Sequence, residues 1–147
     1  MAVGTGAPSR TPVQIATVVV AVVFLLVGVL GFVPGITTNY DQLSFAGHMS
    51  GAALLGIFMV SVLHNIVHLL FGVVGLLAAR TPGGARSYLL VGGIIYLVLF
   101  IYGLVIPMDS AANFVPVNTA DNWLHLVLAV GMVGLGVALG RRSPVRR

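Results

Sequence analysis

Cysteine, lysine and glutamate are all missing from this chain of 147 residues, and seven arginines with three aspartates make up its whole formal charge. Without cysteine there is no disulfide, no thiolate metal site, no iron–sulfur cluster and no cysteine nucleophile. Charged residues are only 7% of the chain, hydrophobic residues are 59%, and the mean hydropathy is +1.10. A soluble domain of this size cannot cover so much apolar surface with so few charges, so composition places the chain in a membrane. The basic balance is not a nucleic-acid footprint, because the arginines stand at the ends of apolar segments and no basic stripe with interleaved aromatics tracks a phosphate backbone. Phosphate-loop, Gly-x-Ser-x-Gly and paired-carboxylate patterns are missing too, so the chain reads as a non-enzyme. Preference for Arg and Asp, with abundant Ala, Gly and Val, is the bias expected of a GC-rich bacterial genome.

What is present is four long apolar segments: Val13 to Val33, about Ala53 to Ala79, Tyr88 to Ile106, and Trp123 to Leu139. At 1.5 Å per residue, roughly 20 residues cross a ~30 Å hydrocarbon core, and each segment is near that length. Turn signals separate them: Pro34-Gly35, Thr81-Pro82-Gly83-Gly84, then Pro107 and Pro116. The expected fold is an all-α, four-helix transmembrane bundle with no competing strand pattern. Arg10, Arg80, Arg86, Arg141, Arg142, Arg146 and Arg147 all fall on one side of such a chain, and Asp41, Asp109 and Asp121 on the other. The positive-inside rule makes the arginine side cytoplasmic, with both termini inside. This gives a tail over 1–12, one membrane domain over 13–140 and a basic tail over 141–147. The first span ends in Phe-Val-Pro-Gly without a small-residue cleavage site, so it is expected to be retained rather than removed as a signal peptide.

On a helical wheel, Ser61, His64, Asn65, His68, Gly72, Gly75 and Ala79 fall on one face of the second span, opposite Leu63, Ile66, Leu70, Val74 and Leu77. The fourth span repeats this, with Asp121, His125, Ala129, Met132 and Gly136 on one arc and Trp123, Val127 and Val130 turned away. Unsatisfied polar groups are costly in hydrocarbon and small residues let helices approach, so both faces should point inward. The runs Asn65-Ile-Val-His-Leu and Asn122-Trp-Leu-His-Leu are similar, which hints at a duplicated helix pair. Counting from the arginines puts His64, His125 and Tyr102 in one layer roughly 24 Å from the cytoplasmic boundary, with His68 and Tyr96 nearer the midplane.

Histidines inside a span invite a functional reading. His64 and His68, four residues apart, could supply two ligands to a transition metal and His125 a third; alternatively, one of the pair could face His125 across a non-covalent haem b. The zinc-protease pattern is missing, no carboxylate lies within a span as a base, and no Cys-x-x-Cys-His attaches haem. The plainer reading needs no cofactor: His64, Asn65 and His68 hydrogen-bond across the bundle to Ser61, Tyr96, Tyr102 or backbone carbonyls. A proton or solute path lined by the same groups is a third reading, and oligomers would be needed for it. His48 reads as a loop histidine at the outer interface, and Asp121 as a helix cap rather than a partner for His125. Gly47-x-x-x-Gly51 and Gly136-x-x-x-Gly140 fit close helix contact, and Trp123, Tyr40 and Phe114 fit interfacial anchors.

The series from Leu30 to Arg80, whose most distinctive piece is Leu63-His-Asn-Ile-Val-His-Leu69, together with the later run from Asp121 to Gly136, resembles an uncharacterised family of small, mainly actinobacterial membrane proteins, domain of unknown function 4383. The resemblance extends from about Pro12 to Gly140. It implies a four-helix protein of the bacterial cytoplasmic membrane and carries over no activity or catalytic residue. The expected role is therefore that of an accessory or scaffold protein with no predicted cofactor. Its expected partners are the lipid bilayer and other membrane proteins or further copies of itself.

Overall fold

A computed structural model describes residues 9–140. Four helices dominate it: α1 (Pro12–Leu30), α2 (Val62–Ala78), α3 (Pro82–Val105) and α4 (Thr119–Gly140). α1, α3 and α4 are long and apolar enough to cross a membrane, whereas α2 has only 17 residues. The outward faces agree with a lipid surround: Ile15, Val19, Leu26 and Val29 of α1, and Val127 and Val130 of α4, are all more than half exposed. Such a surface is tolerable where hydrocarbon is the solvent. In this all-α architecture, the start of α1, the end of α2, the start of α3 and the end of α4 meet at one end, which also carries Arg10, Arg80 and Arg86. Arg141, Arg142, Arg146 and Arg147 lie outside the described residues.

The second apolar run departs from expectation. It is helical only from Val62; before that, Ala53–Leu54 (β2) pairs antiparallel with Thr37–Thr38 (β1) and with Phe58–Met59 (β3). The cause is local. Leu55 and Gly56 both take left-handed backbone, at φ 55° and 71°, which ends any helix and closes a tight β2–β3 turn. Ser61 then caps α2 by accepting from the His64 backbone N–H at 3.1 Å. Gly47 sits in a loop at φ 91°, so Gly47-x-x-x-Gly51 is not a helix contact, while Gly136 and Gly140 do take Leu90 and Arg86 of α3 at close quarters. The remaining starts carry expected signals. Gln14 accepts from the Thr11 N–H and donates to the Ala79 carbonyl at 2.9 Å, and Thr81 caps α3 ahead of Pro82.

The helices pair as two hairpins, α1 with α2 and α3 with α4, and the hairpins match one another. Buried Val13, Thr17, Ala21 and Phe24 of α1 correspond to buried Ala85, Leu89, Gly93 and Tyr96 of α3. Buried His64, Asn65, His68, Gly72 and Gly75 of α2 correspond, position for position, to buried Asp121, Asn122, His125, Ala129 and Met132 of α4. Even the caps correspond, since Asn118 accepts from the Asp121 N–H as Ser61 does from His64. The repeats run in the same direction through the bundle, and Phe24 and Tyr96 stack on each other between them, with centroids 5.5 Å apart and planes 16° apart. Thr17, donating to the Ala85 carbonyl, and Tyr88, donating to that of Phe71, link the hairpins towards the arginine-bearing end.

Candidate functional site

The polar groups of α2 and α4 converge towards the sheet-covered end. His64 and His68 project from one face of α2 a turn apart, and their Nε2 atoms lie 2.9 Å from each other in a hydrogen bond. His68 packs edge-on to Phe24, and His125 packs against Tyr96 at 5.3 Å, a pair of contacts that follows the repeat. His125 is thus the repeat counterpart of His68.

Little of the expected cross-bundle hydrogen bonding is present. The Nδ1 atoms of His64, His68 and His125, both polar atoms of the Asn65 side chain and Oδ1 of Asn122 are sealed from solvent without a partner. Tyr102 donates instead to the Ala112 carbonyl in the α3–α4 loop, and stacking on Phe24 holds the Tyr96 ring. Ser61 is committed to its cap. Asp121 is a cap as read from sequence, and more than that: its Oδ2 accepts from the Asn118 and Met59 N–H groups at 2.9 and 3.0 Å, joining α4 to β3. No hydrogen bond joins Asp121 to His125 among the described residues. His48 is half-buried in the β1–β2 loop, outside the histidine cluster. Among the described residues, no three His, Asp or Glu side chains are arranged to hold a metal ion. Trp123 and Phe114 are more than half exposed, as suits interfacial residues.

Gly31, Gly103 and Asn113 matter here and escape sequence reading. Asn65 lies against Gly31 so closely that a Cβ there would come within 2.1 Å of its Oδ1; Asn122 lies against Gly103 in the same way, at 2.3 Å. The glycine–asparagine pair therefore seats the histidine-bearing helix of each hairpin on its partner. The shared Asn-x-x-His-Leu run is the one sequence signal that points to Asn122. Asn113, fully buried, orders the α3–α4 loop by donating to the Met108 and Val117 carbonyls and accepting from the Val117 N–H.

The cluster borders two cavities. One, about 270 Å³, opens between α2 and α3 and is lined by His64, His68, Tyr96, Tyr102, Phe114 and His125 together with aliphatic side chains. The other, about 140 Å³, lies against α1 and the sheet, beside His64, His68, Asp121 and His125. Among the described residues, neither the Tyr96 hydroxyl nor His125 Nε2 makes a hydrogen bond, and both side chains line the α2–α3 cavity. Chemically the set offers neutral donors and acceptors within apolar walls.

Fold and site together define a small four-helix membrane protein built from two hairpins around a histidine cluster. The chain belongs to the family described as Domain of unknown function (DUF4383), which matches residues 14–138. No curated protein and no solved structure matches it.

Proposed function

We propose that this is a non-enzymatic accessory protein of the bacterial cytoplasmic membrane, with both termini inside, that holds a small uncharged molecule taken from the bilayer. One observation carries this reading. Tyr96 and His125, whose hydroxyl and Nε2 make no hydrogen bond among the described residues, line a cleft whose other walls are mainly apolar. Buried polar groups are normally paired, so unpaired ones beside an open cavity indicate a missing partner. Imidazoles and two phenols line the α2–α3 cleft without a carboxylate or an aliphatic hydroxyl among them, which favours binding over catalysis. Seven arginines, three of them seen together at one end, support the orientation.

A second reading, a metal or haem held by His64, His68 and His125, rests on the convergence of three imidazoles. Against it, His64 and His68 spend their Nε2 atoms on each other. One preparation separates the two readings: the protein purified in detergent from its native host, with visible spectra in oxidised and dithionite-reduced forms, metal analysis and mass spectrometry of extracted lipids. An uncharged lipid-soluble molecule at near-equal stoichiometry is the expected result, with His64→Gln and His68→Gln still folded. A Soret band or stoichiometric metal would replace this reading with the second, and a protein free of every ligand would overturn both.

A further inference from the structure

The two cavities beside the histidine cluster are counterparts under the same repeat that relates the hairpins. Val67, Tyr102 and Val117 line the α2–α3 cavity where Leu124, Leu30 and Val60 line the other. The second is half the size for visible reasons. Leu124 is bulkier than Val67, and Leu54, Leu55 and Phe58 of the β2–β3 hairpin fold over it. Only the α2–α3 cavity has kept its room, and Val98 and Phe114, both more than half exposed, put its mouth at the lipid-facing surface.

The open cavity also differs in chemistry. Six of its eleven lining residues carry a flat ring, the rest are aliphatic, and none is charged. Tyr96, where the repeat counterpart is Phe24, brings a hydroxyl to the residues lining this cavity, and His125 Nε2 is a second polar atom without a hydrogen bond among the described residues. Both residues are more than nine-tenths buried. We infer that the α2–α3 cleft binds the ring of a membrane-soluble quinone, its isoprenoid tail leaving between Val98 and Phe114. This rests on the binding function proposed above and names the ligand class for that site. A planar ring fits between aromatic walls, and its carbonyl oxygen accepts from the Tyr96 hydroxyl or from an imidazole N–H. The hydroquinone form reverses one bond, its hydroxyl donating to the imidazole lone pair, and both forms are uncharged. A fatty-acid carboxylate or a lipid phosphate would arrive with a charge that no cation in the cleft can meet.

The probe is 2-methyl-1,4-naphthoquinone, titrated calorimetrically into the full chain in lipid nanodiscs, with empty nanodiscs as the blank. Saturable one-to-one binding is expected. Tyr96→Phe, which removes one hydroxyl, should weaken it roughly 3- to 10-fold with an unchanged Tm. Val67→Trp, which fills the cleft, should abolish binding, and Leu124→Phe in the smaller cavity should leave it unchanged. Absence of binding, or binding indifferent to both Tyr96→Phe and Val67→Trp, overturns the quinone assignment. If the quinone fails while extraction yields another uncharged molecule that Tyr96→Phe or Val67→Trp loses, the ligand class falls and the binding function stands. If extraction also finds nothing, both fall.

Discussion

The two hairpins share a plan, and among their many differing inward positions two change the chemistry of the site. Both seat an asparagine on a glycine and both place a histidine against a ring, yet Phe24 faces Tyr96 and His64 faces Asp121 across the repeat. The shared features are those of close packing, where a glycine opposite a buried amide brings two helices together. The differing ones carry polar atoms. In the first hairpin a second imidazole at this position bonds to His68; in the second, a carboxylate ties the helix start to the sheet. The comparison teaches that packing sets the repeat and that chemistry is concentrated where the repeat is broken.

The stacked pair at the centre is where that equivalence should be most costly to break. Phe24→Ala and Tyr96→Ala each remove a buried ring and leave a cavity, and each should cost about 3–5 kcal/mol in reversible unfolding by detergent titration. Matching losses support an axis running between the rings, and a loss confined to one would make the stacking incidental. Next come the glycines. Gly31→Val and Gly103→Val force a side chain onto Asn65 and Asn122, and each should destabilise by about 1–3 kcal/mol, whereas Gly131→Ala, with nothing within 4 Å, should not destabilise. A Gly103→Val variant as stable as the wild type would mean that only the first hairpin depends on this contact. The smallest effect concerns the caps: Ser61→Ala and Asn118→Ala should each cost about 1 kcal/mol, read as faster amide hydrogen exchange in the first turn of α2 or of α4.

The four helices were legible because hydropathy and proline, glycine and threonine boundary signals act locally. The inward face of α2 was legible too, since His64, Asn65, His68, Gly72 and Gly75 are spaced for one side of a helix and are all buried. The sheet was not: its strands are two residues long, those of β2 and β3 are as apolar as the helix that follows, and the left-handed Leu55 has no signal of its own. Nor was the full extent of the repeat visible. Of the matched inward positions in α1 and α3, from Val13 opposite Ala85 to Phe24 opposite Tyr96, none is identical, because packing conserves shape and burial rather than residue type. The pairing of the polar groups was not legible in the sequence, for a geometric reason. Tyr102 lies high enough on α3 to meet the loop, and the two imidazoles on one helix are nearer to each other than to any tyrosine hydroxyl.

The late start of α2 has a consequence for the surrounding lipid. Seventeen residues at 1.5 Å each give about 25 Å of helix, against a hydrocarbon core of about 30 Å. α3 and α4, with 24 and 22 residues, meet that thickness with length to spare. The protein therefore presents a short flank and a long one, and exposed Leu55 and Ile57 continue the apolar belt above the short flank without helical hydrogen bonding. Hydrophobic mismatch costs a fraction of a kcal/mol per ångström, so the bilayer thins beside α2 or tilts the bundle towards it. Lipid beside that flank is therefore the part of a bilayer that this fold strains most.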